Sequence, residues 1–148
     1  MTGSSDNPFV GTWKLVSCEA LRRNGEAVPL YGLDPLGRLY YDPNGNMSVH
    51  IMRRDRAPLR SKGSTPPDAE EARLAYEGYQ AYFSTYVVDA GRHLIHHNVI
   101  GSLFTNWTGT TQTRAYRFEG SNRLVLSSPP NGDGRTAKTI VKLVWERM

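Results

Sequence analysis

Hydrophobic and polar residues alternate along most of this chain, and the alternation breaks at turn-forming residues. From Gly11 onward, Trp13, Leu15 and Ser17 fall on one side of an extended segment, with Lys14, Val16 and Cys18 on the other. Arg23-Asn24-Gly25-Glu26 reads as a turn, and a Pro/Gly-rich connection follows over 29–37. A strand over 37–41 returns over 46–52 through Asp42-Pro43-Asn44-Gly45, because Asn-Gly accepts positive φ at little cost. Further strands are predicted over 82–88, 93–102, 110–118, 123–127 and 136–146. In the last of these, Ala137, Thr139, Val141, Leu143 and Trp145 oppose Lys138, Ile140, Lys142 and Val144. One helix is predicted over 66–80. Thr65 would cap it, Pro66 or Pro67 suits its first turn, and Asp68, Glu70 and Glu71 meet the positive end of its dipole. Ala72, Ala75, Tyr76 and Tyr79 form its apolar stripe.

This order predicts an all-β fold: a closed, up-and-down antiparallel barrel of about eight strands, with one helix between middle strands and over one opening. Closure removes sheet edges, and eight strands leave room for one small ligand. Periodicity alone does not separate a barrel from a sandwich. A chain of 148 residues is one domain's worth, read here as a barrel over 9–148 behind a flexible tail over 1–8.

Composition supports many short elements, since Gly 14 and Pro 9 together make 23 of 148 residues, above the average of about 12%. Lys+Arg 18 against Asp+Glu 14 leaves a net charge of only +4, with no basic block that points to nucleic acid. A single cysteine excludes an internal disulfide and any multi-cysteine metal site. The N-terminal MTGSSDNPF has no signal-peptide pattern. No stretch approaches the roughly 20 apolar residues of a membrane span. The expectation is a cytoplasmic protein that touches neither nucleic acid nor membrane; homodimerisation is open.

The informative residues are polar ones on core-facing sides. Over 110–118 the more apolar face carries Gln112, Arg114, Tyr116 and Phe118, so Gln112 and Arg114 are carried inward. A buried guanidinium is costly unless paired, so either an acidic side chain or an anionic ligand oxygen must meet Arg114. Of four histidines, His93, His96 and His97 cluster in sequence. His96 and His97 point to opposite faces, and His93 lies roughly 13 Å from His97 at strand rise, so no metal is expected. Either His96 or His97 projects inward, where an imidazole would be the pocket's proton shuttle or a hydrogen-bonded part of its wall. Tyr82, Ser84 and Tyr86 share one face and could line the cavity with hydroxyls or simply pack. His50 is placed outside, opposite the more apolar Met47, Val49 and Ile51. Arg53, Arg54, Arg56, Arg60 and Lys62 read as a solvated loop, or else as an electropositive rim. Asn106-Trp107-Thr108 matches a glycosylation sequon without any sign of secretion. No phosphate-binding loop, dinucleotide fingerprint or serine-hydrolase elbow is present, and Cys18 has no evident activating neighbour.

Several runs carry a family resemblance: Gly11-Thr12-Trp13, Asp34-Pro35-Leu36-Gly37-Arg38-Leu39, Met47-Ser48-Val49, Tyr79 with Tyr82, and Thr85-Tyr86. The most specific is His97 with Gly101-Ser102-Leu103-Phe104-Thr105-Asn106-Trp107-Thr108-Gly109, followed by Gln112 and Arg114, and Leu143-Val144-Trp145-Glu146-Arg147 closes the chain. In this order they resemble the bacterial and fungal lipocalin-like domain family, a calycin-type β-barrel group, from about Phe9 to Met148. The resemblance implies that Trp13 seals the barrel floor with Arg147 stacked on it as a structural cation–π contact. It also implies small-molecule binding, and related barrels include cofactor-free isomerases and cyclases. The chain departs from secreted lipocalins in lacking signal peptide and disulfides, in its helix position and in having no long helix after the last strand.

The resulting expectation is a barrel that binds a small, mostly hydrophobic or amphipathic organic molecule bearing an acidic or carbonyl oxygen. Arg114 and Gln112 would hold that oxygen, and His97, Tyr82, Tyr86, Tyr116, Trp107 and Asn106 complete the candidate ligand site. The alternative is a cofactor-independent cyclase, isomerase or dehydratase acting on a polyketide- or terpenoid-like metabolite. There His97 would be the catalytic acid–base group and Arg114 would stabilise an oxyanion or enolate. A third reading is a scaffold whose barrel is filled by its own side chains. Neither metal nor cofactor is expected.

Overall fold

A computed structural model describes residues 7–60, 65–128 and 139–148. The strands are β1 (Gly11–Arg22), β2 (Ala27–Pro29), β3 (Leu36–Tyr41), β4 (Asn46–Met52), β5 (Tyr79–Asp89), β6 (Leu94–Ser102), β7 (Thr111–Glu119), β8 (Arg123–Ser127) and β9 (Thr139–Arg147), with helix α1 (Ala69–Glu77) between β4 and β5. From β3 to β9 each strand pairs antiparallel with the next, and β1 pairs with both β3 and β9. The result is a closed eight-stranded barrel, as the alternation predicted. The short β2 adds a ninth strand that the sequence reading left in a connection; it covers β1 at Glu19–Leu21, beyond the reach of β3. The beginning of the expected last strand, 136–138, lies outside the described residues.

Inward residues build two stacked zones. The lower is an aromatic floor in which Phe9 meets Tyr41, Tyr116 and Phe118 edge-on at 5.4, 4.9 and 4.9 Å. Trp13 is fully buried there and donates its indole N–H to the Phe9 carbonyl at 2.9 Å. The guanidinium of Arg147 stacks 4.2 Å from the Trp13 ring and donates to the carbonyls of Val10 and Pro8 at 2.9 and 2.7 Å. The expected floor seal is therefore present. It also shows why Gly11 is glycine: at φ +138° a Cβ would lie 2.8 Å from an Arg147 nitrogen. Within the residues read as a tail, Asn7 donates to the Tyr86 hydroxyl at 3.0 Å and Pro8 accepts from Arg147, so both belong to the barrel floor.

Two details depart from strict alternation. Trp13 and Leu15 face inward, but the register slips between Leu15 and Ser17 against β9, leaving Val16 as the extra residue of a bulge. Cys18 thus turns to the same side as Trp13 and is buried, correcting the expectation that it lies on the opposite face. A second slip between Phe83 and Ser84 leaves Ile100 unpaired and exposed on β6.

The helix is shorter than expected, and its cap is Asp68, whose carboxylate accepts from the Glu71 N–H at 2.9 Å. Thr65 does not serve, because Pro66 would then have to be the first helical residue and, preceding Pro67, it is kept out of the helical region. The helix ends at Gly78 because Tyr79 already pairs with Met52 as the start of β5. Its apolar stripe is not buried; Tyr76 reaches the barrel against the Phe104 ring at 5.9 Å. Among the described residues no helix is long and apolar enough to cross a membrane.

If the Arg147 strap holds the floor, Arg147→Ala removes a cation–π stack and three charged hydrogen bonds, to the carbonyls of Pro8, Val10 and Ser121, and should lower unfolding free energy by about 2 kcal/mol. Urea denaturation checks this; a loss under about 0.5 kcal/mol would show that the floor packs without it.

Candidate functional site

Above the floor the barrel is hollow, with a cavity of about 280 Å³. This lies just below the roughly 300–1,000 Å³ of drug-sized pockets. Buried Cys18, Leu39, Val49, Ile51, Tyr82, His97, Leu126 and Trp145 form its depth, and part-exposed Tyr31, Gln80, Phe104, Trp107, Gln112, Arg114 and Ser128 its entrance. The described residues therefore do not fill the barrel with their own side chains. Among the described residues no Asp or Glu contributes to the lining.

Arg114 leaves β7 on its inward face, as its alternation required. Its Nη1 donates to the neighbouring Thr113 carbonyl at 3.0 Å, and its guanidinium stands 5.9 Å from the Trp107 ring. Among the described residues no carboxylate pairs with it. Of the two partners that could meet this charge, the acidic side chain is missing there. Gln112, two residues earlier on the same face, donates to Thr110 Oγ1 at 3.0 Å.

His97 settles which histidine faces inward: it is 1% exposed, while His96 stands part-buried with Nδ1 on Thr113 Oγ1 at 2.8 Å. Both ring nitrogens of His97 are engaged, Nε2 with the Tyr41 hydroxyl and Nδ1 with the Tyr82 hydroxyl, each at 2.8 Å. Among the described residues Tyr41 has no other side-chain partner, and it is buried in the floor, so its proton goes to Nε2 or is orphaned. Nε2 is then the acceptor and Nδ1–H donates to the Tyr82 oxygen. That leaves the Tyr82 O–H to donate into the cavity it lines. Burial, the Arg114 charge and His96 hold the His97 imidazole down to about 3, so it is neutral. Burial raises the Tyr82 hydroxyl, which stays protonated.

The remaining polar groups lean the same way. Tyr31 donates to Gln80 Oε1 at 3.2 Å, leaving the Gln80 amide N–H groups as donors. Tyr31 sits at φ 60°, an uncommon conformation for a bulky residue, and burial pushes its hydroxyl up to about 12. Burial, with Glu19 adding to it, also pushes the Cys18 thiol up to about 12, so it lines the cavity as a neutral group.

Of the residues singled out from sequence, the fold brings His97, Arg114, Gln112, Tyr82 and Trp107 together. Tyr86 is held in the floor, donating to the Asp42 carbonyl at 2.7 Å, and Tyr116 packs on Phe9 and Phe118. Asn106 is exposed in a single turn of 3-10 helix, Thr105–Trp107. None of these three lines the cavity. His50 is outside, bonded to the Tyr79 hydroxyl at 3.0 Å. The basic run is knitted to acids, with Arg53 on Asp55, Arg54 on Asp34, and Arg60 on Asp68 and Glu71. That network is local to the loop and α1, whose groove of about 410 Å³ is separate from the barrel interior. Lys62 lies outside the described residues. The cavity residues the sequence reading missed are Tyr31, Gln80, Cys18 and Trp145; the alternation of Val141, Leu143 and Trp145 was the available signal for the last.

The chain matches a family model described as a lipocalin-like domain over residues 10–148. No curated protein matches it. Among solved structures it is similar to a redesigned β barrel at 8% identity, covering 100% of this chain and 97% of that one, with a TM-score of 0.47. A mutant of the fluorescent protein UnaG shares 16% identity over 97% and 98% of the two chains at 0.42. A DUF4847 family protein from Bacteroides vulgatus shares 13% over 95% and 96%, also at 0.42.

The neutral His97 carries a stability signature. Its ordinary value is 6.5 and its folded value about 3, so below 6.5 the unfolded chain takes a proton the folded one refuses. Stability from this group is complete above the unfolded value and drains as pH falls toward the folded one, by up to about 1.4 kcal/mol per pH unit. Denaturant titrations between neutral and mildly acidic pH should show this slope, and His97→Gln should flatten it. An equal slope in the variant would assign it elsewhere.

Proposed function

We propose that this chain, which belongs to the lipocalin-like domain family, binds a compact, mostly apolar organic molecule through an acidic or carbonyl oxygen. The observation that carries the reading is the charge balance of the cavity: Arg114 enters a mostly apolar chamber whose described lining includes no carboxylate. Part-burying a guanidinium without a counter-charge is costly, and a ligand oxygen at Arg114 and Gln112 would offset that cost through charge-assisted hydrogen bonds. The Tyr82 hydroxyl adds a third donor, and Leu39, Val49, Ile51, Leu126, Trp107 and Phe104 supply apolar wall. Aromatic rims and a few convergent donors are what ligand sites of this kind present.

The Tyr41–His97–Tyr82 chain gives the alternative a specific form. In a cofactor-independent isomerase, cyclase or dehydratase acting on a polyketide- or terpenoid-like metabolite, the group touching substrate would be Tyr82. His97, with both nitrogens engaged, would be a positioning residue behind it. Tyr82 would hydrogen-bond the developing enolate oxygen beside Arg114, without a cofactor.

Native mass spectrometry of freshly purified protein, followed by extraction, tests occupancy; a co-purifying organic acid or enol supports the reading. Arg114→Leu should then reduce affinity for that acid by at least about tenfold, the scale of a charge-assisted hydrogen bond, with thermal stability equal or higher. Unchanged affinity would remove Arg114 from the site. Incubating the extracted compound with apo protein separates the two readings: conversion that Tyr82→Phe abolishes while affinity persists supports the enzyme, and a compound recovered unchanged supports the binder.

A further inference from the structure

Resting on the reading of the cavity as a binding site, we infer that its ligand is a carboxylate, held side-on by the Nε–H and Nη2–H edge of Arg114, and not a neutral carbonyl or an enol. A guanidinium carries its N–H donors in a fixed planar fork. Arg114 uses one of them, from Nη1 to the Thr113 carbonyl at 3.0 Å. Among the described residues its Nε and Nη2 have no hydrogen-bond partner. Neither atom is sealed by the protein: the side-chain atoms both sealed and unpartnered there are Ser84 Oγ and Trp145 Nε1. The free edge is therefore open to a guest, and it belongs to a residue that lines the chamber.

The guanidinium is braced before any guest arrives, by the Thr113 carbonyl on its Nη1 side and by the Trp107 ring 5.9 Å away. Its charge also reaches the chamber's inner groups. Burial raises the Tyr82 hydroxyl and lowers the His97 imidazole, and the Arg114 charge is the next influence on each, lowering both. Elsewhere the chain shows what this edge does when an acid is within reach. Arg53 gives Nε and Nη2 to the two oxygens of Asp55 at 3.0 and 3.2 Å. Arg73 gives the same pair to Glu70 at 3.1 and 2.7 Å. Two parallel N–H groups match two carboxylate oxygens, and the opposite charge adds to the fit. A ketone or enol offers one oxygen and, being neutral, leaves the part-buried charge unmet. The described lining supplies no Asp or Glu to this edge, so the acid comes with the ligand. The ligand class is accordingly a compact, mostly apolar carboxylic acid bound as its anion. Arg114 selects its head group by shape as well as by charge.

The test pairs aromatic acids with methyl ketones of the same shape: benzoate with acetophenone, and naphthoate with acetylnaphthalene. Each is titrated calorimetrically at neutral pH into wild type and Arg114→Lys. Wild type should bind the tighter acid at least about tenfold better than its ketone, the scale of charge-assisted hydrogen bonds. Arg114→Lys keeps the charge and loses the fork, so that preference should shrink about three- to tenfold, the range of one net hydrogen bond. Acid and ketone bound alike by wild type, or the ketone preferred, overturns the carboxylate while the cavity stands as a site for carbonyl compounds. A preference undiminished in Arg114→Lys overturns the side-on edge. The Arg114 Nε–H resonance gives a readout on wild type alone. The acid should move it downfield and the ketone leave it in place, and equal responses overturn the inference even if Arg114→Lys misfolds. If none of the four compounds binds, the functional reading fails and this inference fails with it.

Discussion

Every inward side chain in this barrel takes its direction from the pairing of β1 with β9. That ladder runs from Trp13 opposite Arg147 to Arg22 opposite Thr139 and joins the two ends of the sheet. Without it the sheet would be open, with two edges and no interior. The bulge at Val16 lies in this seam and reverses the facing of all that follows on β1, which is how Cys18 comes to line a cavity from a position that simple alternation puts outside. The Arg147 strap and Trp13 then lock the lower end, so that the hollow lies above the floor.

Within that frame the sequence has placed side chains that compete. Apolar walls favour dryness, yet Arg114, Gln112 and Tyr82 bring donors into it with few acceptors among the described residues to meet them. Low local polarity makes unmet donors expensive. Their retention in one chamber is more economically explained by a ligand that meets them than by packing alone. The His97 pair of hydrogen bonds fits the same pattern: it hands a proton from the floor outward and leaves the terminal O–H of Tyr82 facing the hollow.

The barrel was legible because period-two alternation is a direct record of which face is buried. Gln112 and Arg114 were legible for the same reason, carried inward by Tyr116 and Phe118. What alternation cannot show is depth. Tyr86 and Tyr116 share faces with Tyr82 and Arg114 but sit in the floor, because a position several residues along a tilted strand lies at another level. Bulges escape too, since an extra residue such as Val16 leaves no compositional mark. Tyr31 comes from an irregular connection where no period operates, and the choice between His96 and His97 needed the register. The cap of α1 was misplaced because the Pro66-Pro67 pair was read as a helix start and not as a barrier to one.

The lining of the cavity has one further property. Its only imidazole stays neutral down to about 3, and its thiol and the Tyr31 phenol stay neutral up to about 12. The Tyr82 phenol is likewise raised by burial. Across the whole span of cellular acidity these four groups of the described lining therefore stay neutral. Loading and unloading are not timed by protons taken up by these four groups, which leaves ionisation of the guest itself as a source of any pH dependence.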